Sequence, residues 1–426
     1  MAADAPGHGR APWWHQPGVL ARLVGDLVAD ELAHLRPGVG VEPPPWPADL
    51  LLDEPGLGLD SLERLSIASA LNETLHLHES GVEDLLLVRR RFGEWVDLAR
   101  LGLDHAGLRM TFRTSGSRGA PKPCTHALAA LEQEVDVLAD LLGGRRRVFS
   151  AVPAHHIYGF LFTVLLPARW PGMAVHDVRR MTPQALAARL APGDLLVSHP
   201  AHWALVARHA GRLPPNVVGV SSTASCPDTV AMALSDLGLQ RLVQVYGSSE
   251  TAGIGWRDST AEPYRLMPHW SRLASDDTAL QRLLPGEDPV RQTLQDRLAW
   301  CGEDRFQVFG RHDEAVQVCG TNVFPERVRQ VLLTHPQVQD AAVRRMTEAE
   351  GERLKAFVVP RGEADRAALP DALMRWVAQH LTAPERPRAF TVGERLPTGA
   401  LGKLSDWPCG DTHAHGPQQP AGALGA

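Results

Sequence analysis

The sequence predicts an α/β protein in three parts: a small helical unit, a large domain on a parallel-type sheet, and a small α+β C-terminal domain. Three observations lead there. Residues 1–105 carry apolar residues at helical spacing. From about residue 106, short apolar strand-like runs alternate with helical patterns, the order a parallel sheet with crossover helices needs. After residue 312 the pattern changes again, to strand pairs followed by helices.

In the first part, GVLARLVGDLVADELAHL reads as a helix over 18–35, and the Pro/Gly-rich stretch RPGVGVEPPPWP as a loop. DSLERLSIASALNETLHL reads as a second helix with Asp60 or Ser61 as its cap, and Asp60 and Glu63 stand at capping-box spacing. EDLLLVRRRFGEWVDLARL reads as a third helix. In the second part, RVFSAVP, MAVHDV, DLLVSHP, NVVGVSS and LVQVYG are strands, and HALAALEQEVDVLADLL and PQALAARL are helices between them. In the third, FQVFG and AVQVCG read as a hairpin around the GRHDE turn. A helix (PERVRQVLLTHP), two strands (VQDAAVRRM, LKAFVVP) and a helix (DALMRWVAQHL) follow. The expected domains are 1–105, 106–312 and 313–408, with a Gly/Pro/Ala-rich tail over 409–426 that reads as disordered.

Composition narrows the function. With 44% hydrophobic and 22% charged residues, the 426-residue chain is ordinary globular material. A net charge of -6 gives no basis for nucleic acid or an acidic membrane as partner. No apolar run has the length of a membrane span, and the N-terminus lacks the pattern of a secretory signal. The five cysteines show no metal-ligand spacing and are read as reduced thiols of a cytoplasmic protein. The 19 histidines form no HExxH pattern.

The densest chemical signal is TFRTSGSRGAPKPCTH, residues 111–126. Thr114, Ser115 and Ser117 offer hydroxyls, Gly116 and Gly119 allow close backbone approach, and Lys122 brings charge, a set suited to phosphate. A helical pattern begins just after it, at His126, so an ordinary Ser/Gly loop between strand and helix is the alternative. The stretch is neither a GxxxxGK[ST] loop nor a GxGxxG loop.

This stretch resembles TSGSTGxPK, the phosphate-binding signature of the adenylate-forming superfamily of acyl-CoA synthetases, peptide-synthetase adenylation domains and luciferase. Arg118 stands where that pattern has Thr. Further segments resemble the family in order. VPAHHIYGF (152–160) is similar to the segment that walls the acid pocket, which makes His156 a candidate beside the carboxylate. VQVYGSSETAG (244–254) resembles the YGSTE signature, which implies Tyr246 beside adenine, Ser249 beside phosphate and Glu250 as Mg²⁺ ligand. Asp296, fourteen residues before Gly310, matches the ribose-binding Asp, although LQD replaces the usual TGD. Arg311 matches a second ribose contact and Asp313 the hinge between domains. LPTGALGKLSDW resembles PxTxxGK, which places Lys403 as the lysine of adenylation. The resemblance implies ATP and Mg²⁺ as cofactors and a small carboxylic acid as substrate. It also implies acyl-AMP formation, then rotation of the small domain and transfer to a thiol.

The phosphate loop begins early for this family. In place of the usual N-terminal portion stands LGLDSLERLSIASALNETLHL, which resembles the phosphopantetheine-attachment site of acyl carrier proteins, with Ser61 at the attachment position. Asp60 as a plain helix cap explains the same residues. The whole resembles the short ligases of aryl-polyene and xanthomonadin clusters. That implies a hydroxybenzoate- or cinnamate-type acid delivered to an acyl carrier protein. Two alternatives stand beside it: an acyl-CoA ligase using free CoA, and an inactive ligase-like carrier or scaffold.

Overall fold

The computed structural model describes residues 11–36, 39–114, 122–170, 172–273, 276–311, 315–347, 350–362, 365–397 and 406–408. These fall into two compact units, one ending at residue 311 and one beginning at residue 315.

The first unit opens with helices α1 (Val19–Leu35), α2 (Ser61–Leu75), α3 (Leu85–Val88) and α4 (Phe92–Ala106). Asp60 is the cap of α2 and Ser61 its first helical residue. The Asp60 carboxylate accepts from the backbone N–H groups of Leu62 and Glu63 at 2.8 Å each, and Glu63 accepts from the Asp60 N–H at 3.0 Å. Arg36 fixes the same turn, donating to Glu63 at 2.6 Å and to the Gly58 carbonyl at 2.6 Å. The third expected helix is two: the chain breaks over Arg89–Arg91, where Arg91 forms a β-bridge with Leu51 before α4 begins.

An antiparallel hairpin follows, β1 (Arg109–Thr114) and β2 (Lys122–Ala127). The helix expected from His126 therefore starts later: His126 lies in β2, and α5 spans Leu128–Leu142. Next come β3 (Arg147–Ser150), α6 (Ile157–Phe160), β4 (Ala174–Asp177), α7 (Pro183–Arg189), β5 (Leu195–Ser198), α8 (Pro200–His209), β6 (Val218–Ser221), α9 (Asp228–Asp236) and β7 (Arg241–Ser248). The unit ends with β8 (Ala252–Arg257), β9 (Tyr264–Leu266), β10 (Trp270–Leu273), β11 (Asp276–Arg282), β12 (Val290–Thr293), β13 (Asp296–Trp300) and β14 (Arg305–Arg311).

Among the described residues the main sheet has the order β13-β14-β9-β8-β7-β6-β5-β3-β4. The half from β7 to β4 is parallel, as the alternating pattern predicts, and the half from β7 to β13 is antiparallel. Every residue of β5 and β6 is buried, which is why they read as unbroken apolar runs rather than alternating ones. Side-chain alternation then sorts two cores. Val148, Val197, Val220 and Val243 face a core shared with α1, α2, α4 and α5, whereas Phe149, Leu196 and Leu242 face a core shared with Trp203 and Leu234 of α8 and α9. Gly219 lies under Trp203, where a Cβ would come within 2.7 Å of the indole. The helices of the first hundred residues thus share a core with the sheet.

The second unit contains the hairpin β15 (Val316–Val318) and β16 (Thr321–Val323), α10 (Pro325–Leu333), β17 (Val338–Arg345), β18 (Leu354–Pro360), α11 (Leu369–His380) and β19 (Pro387–Val392). The expected pairing of FQVFG with AVQVCG does not form. FQVFG is in β14 and pairs with β13 and β9 of the first unit, and AVQVCG pairs with its own continuation. β17 and β18 are antiparallel, and β19 joins β18 in parallel.

Candidate active site

The chemistry gathers at the β7–β8 turn. Gly247 pairs with Gly253 and Ser248 with Ala252, so Ser249, Glu250 and Thr251 form the loop between the strands. A Cβ on Gly247 would lie 2.1 Å from the Ala252 carbonyl oxygen, so glycine is required there. Thr251 locks the loop from inside: its Oγ1 accepts from the Ser248 N–H at 3.1 Å and donates to the Ala252 carbonyl at 2.8 Å. Glu250 is half-buried in the loop.

The hairpin strand β2 reaches this turn. The His126 Nε2 bonds to the Ser249 carbonyl oxygen at 2.7 Å, which makes Nε2 the protonated nitrogen. Burial draws the His126 pKa down, so the ring is a neutral donor. Burial pushes the Cys124 thiol up to about 11, and the negative charge of Glu250 adds to that while Lys122 opposes it. Lys122, Cys124, His126 and Glu250 therefore share one electrostatic neighbourhood. A half-buried carboxylate in a tight loop is a hard oxygen donor of the kind Mg²⁺ takes, and Lys122 in the same neighbourhood is of the type that meets phosphate.

The antiparallel half of the sheet brings two further predicted residues together. The Tyr246 hydroxyl donates to the Asp296 carboxylate at 2.5 Å. In the register of β13 and β14, Asp296 stands opposite Arg311. Tyr246 packs against Tyr264 and Phe306, with ring centroids 5.4 and 5.6 Å away, and those two rings stack on each other.

His156 caps the start of α6. Gly159 follows because a Cβ there would lie 1.8 Å from the Pro153 carbonyl oxygen. Tyr158 is buried and its hydroxyl reaches the carbonyls of Ser198 and Val220, at 2.9 and 3.1 Å, at the ends of β5 and β6. The His156 side chain is exposed at this turn. Desolvation there, with His155 adjacent at a ring distance of 4.2 Å, draws its pKa down to about 3.

Helix α1 faces this motif with Arg22, Asp26 and Asp30, spaced four apart and so on one face. Asp26 accepts from the Ala154 N–H at 2.7 Å and pairs with Arg179 at 2.6 Å. Asp30 lies 3.4 Å from His155. Burial would raise the Asp30 pKa, but hydrogen bonding and charge from His155, with His156 and His34, overcome it and hold the carboxyl at about 2. Arg22 donates to the Thr163 hydroxyl at 2.9 Å. Sequence reading missed these acids because their partners lie more than a hundred residues away.

In the second unit, buried Lys355 holds the chain just beyond the Lys403 segment. Its ammonium donates to Glu350 at 2.9 Å, to the Trp407 carbonyl at 2.7 Å and pairs with Asp406 at 3.0 Å. The Trp407 ring meets Phe357 edge-on at 5.9 Å.

Several predicted residues lie outside the described ones: Ser115, Gly116, Ser117, Gly119, Asp313, Lys403 and the tail 409–426. Thr114 and Arg311 are described as strand backbone only. Ser61 is exposed at the first turn of α2. Cys124, Cys226, Cys301 and Cys319 carry free thiols. Among the described residues no helix is long and apolar enough to cross a membrane.

Comparison with known proteins accords with this geometry. Residues 108–279 match the AMP-binding enzyme family and residues 328–403 match the AMP-binding enzyme C-terminal domain. The chain is 43% identical over 373 residues to a 4-coumarate–CoA ligase of Cereibacter sphaeroides, covering 85% of this chain and 87% of that one. It is 41% identical over 390 residues to a 4-coumarate–CoA ligase of Halorhodospira halophila, covering 90% and 98%. The fold is shared with the amide bond synthetase McbA of Marinactinospora thermotolerans, with a TM-score of 0.59 at 18% identity over 90% of this chain and 92% of that one. The chain belongs to the AMP-binding enzyme family and is an AMP-forming acid–thiol ligase that works with ATP.

Proposed function

We propose that the chain activates a cinnamate-type aromatic acid as its acyl-AMP and transfers the acyl group to CoA. The observation that carries this reading is the likeness to 4-coumarate–CoA ligases at 43% and 41% identity over 85% and 90% of the chain. It favours CoA over the carrier-protein acceptor that the LGLDSL segment suggests. The exposure of Ser61 is equally what the first residue after a helix cap shows.

In this reading a carboxylate oxygen of the acid attacks the α-phosphorus of ATP, and pyrophosphate leaves. Two anions must meet, so the site has to place positive charge and donors where negative charge builds. Thr114 to Lys122 hold the departing phosphates, and Lys403 serves the adenylation step. Glu250 would hold Mg²⁺, which supplies Lewis-acid charge to the phosphate oxygens. Asp296 takes the ribose hydroxyls, with Tyr246 fixing its carboxylate and lying against the adenine. Orientation of the ribose keeps the attack in line. His156, whose pKa is drawn below the usual imidazole value by desolvation and by adjacent His155, can in its neutral form hydrogen-bond the acid without forming an ion pair. A tight ion pair would stabilise the carboxylate in the ground state and blunt its attack.

Acid-dependent ATP–pyrophosphate exchange tests this, with 4-coumarate, cinnamate, benzoates, hydroxybenzoates and fatty acids as the panel. Exchange with cinnamates followed by CoA thioester formation supports the reading. Preference for a holo carrier protein over CoA in direct competition overturns the acceptor assignment. Exchange with no acid overturns the function.

A further inference from the structure

Glu134 is a charged residue type at a fully buried position in the middle of α5, among Leu131, Val135 and Leu138 of the apolar face. Nothing in the reaction outlined above uses it. Its carboxylate accepts from the Gly253 N–H with both oxygens, at 3.0 Å each. A Cβ on Gly253 would lie 2.3 Å from its Oε1, so Gly253 is what lets the carboxylate reach the backbone.

Two more buried side chains grip the same strand. The Trp270 indole donates to the Gly253 carbonyl at 2.8 Å. Arg282, also buried, reaches the Thr251 carbonyl at 3.5 Å, donates to the Ala130 carbonyl one helical turn before Glu134, and lies over the Trp270 ring at 5.2 Å. Thus α5, β10 and β11 each send one buried side chain to backbone groups of Thr251 and Gly253, the residues that follow Glu250.

We propose that Glu134 is a positioning residue: with Arg282 and Trp270 it sets the backbone that follows the Ser249–Glu250 loop and so fixes where the Glu250 carboxylate meets the metal-bound nucleotide. The inference rests on the reading of Glu250 as the Mg²⁺ ligand. The physical reason is economy of motion. A carboxylate on a two-strand turn can swing, and an oxygen ligand must be held to a few tenths of an ångström for Mg²⁺, which tolerates little departure from octahedral geometry. Burial pushes the Glu134 pKa up to about 7, against the charge of Arg282 and the Gly253 N–H, and those two partners limit the cost of an acid on an apolar helix face.

The full chain is compared with Glu134→Ala, Glu134→Gln and, as a control on the same face of α5, Leu138→Ala. Two readouts are taken: hydrogen–deuterium exchange of peptides covering residues 244–257, and the Mg²⁺ concentration giving half-maximal ATP–pyrophosphate exchange at saturating ATP and acid. In Glu134→Ala the Gly253 region exchanges faster and the half-maximal Mg²⁺ concentration rises by about tenfold or more, the range for loss of a residue that orients a metal ligand. Glu134→Gln, which keeps an acceptor oxygen, restores most of both. Leu138→Ala lowers the melting temperature without moving the Mg²⁺ requirement. Unchanged exchange over 244–257 in Glu134→Ala overturns the proposal, and so does faster exchange with an unmoved Mg²⁺ requirement. A wild-type chain with no acid-dependent activity speaks against the ligase reading itself, and its hydrogen exchange still decides whether Glu134 holds the strand.

Discussion

Single residues at the site are defined by partners that are remote in sequence. Asp296 and Tyr246 meet at 2.5 Å although fifty positions separate them. Asp296→Ala removes a charged hydrogen-bonding group, so the KM for ATP should rise by a factor corresponding to about 1.5–3 kcal/mol. Tyr246→Phe keeps the ring and loses one hydrogen bond, so its effect should be smaller. Equal effects of the two in initial-rate kinetics would mean that Asp296 acts only through its hydrogen bond with Tyr246 and not by holding the ribose. Lys403→Ala should lower acid-dependent ATP–pyrophosphate exchange by on the order of 10²–10³ while CoA transfer from supplied acyl-AMP persists. Equal loss of both half-reactions would sink that role.

The buried acid on α5 has a pH signature of its own. Its pKa is raised from 4.5 to about 7 by burial, opposed by the charge of Arg282 and by the Gly253 N–H. The folded state therefore binds the proton more tightly than the unfolded state. The stability this contributes is complete below about pH 4.5 and is lost as pH rises through 7, on the order of 3 kcal/mol in total. Glu134→Gln should flatten that part of the stability–pH curve measured by urea unfolding. A wild-type curve that instead rises from pH 5 to 7.5 relative to Glu134→Gln would show that the carboxylate is already ionised.

At the scale of elements, α2 owes its start to a local device and α1 its place to long-range ones. Asp60 and Glu63 satisfy each other's backbone donors, so Asp60→Ala should cost about 1 kcal/mol of stability in a thermal or urea melt. This device was legible in the sequence because all its atoms lie within four residues. Asp26 on α1 is different, since it serves both Ala154 and Arg179 from one buried carboxylate. Asp26→Ala should cost more, about 2–3 kcal/mol, because it strips one partner from the partly buried Arg179 and leaves the buried Ala154 N–H without its acceptor. A loss no larger than that of Asp60→Ala would mean that Asp177 compensates for Arg179.

Across the whole molecule, period-two alternation in β3, β5, β6 and β7 sorts side chains to the two faces of the sheet, and the N-terminal helices cover one of them. This is why residues that read as a small helical unit of their own share one core with the sheet. It also explains why α1 can set charged groups beside His155 and His156.

The candidate roles of Tyr246, Ser249, Glu250 and Asp296 are implied by the resemblance to the adenylate-forming superfamily, whereas the sequence by itself determined the parallel half of the sheet, helices α5 and α7, the capped start of α2 and the phosphate-suited composition of Thr114–Lys122. These are legible because apolar periodicity, capping residues and turn residues act over a few positions of chain. It missed the antiparallel strands β8 to β13, where short strands of mixed polarity carry no long apolar run, and it misread the pairing of FQVFG. Only the tertiary structure decided that Tyr246 touches Asp296, that His126 holds Ser249, and that Glu134 turns inward to Gly253. Those contacts join residues 50, 123 and 119 positions apart. Hydrogen bonds act over about 3 Å of space whatever the length of chain between their ends, so local patterns in the sequence carry no trace of them.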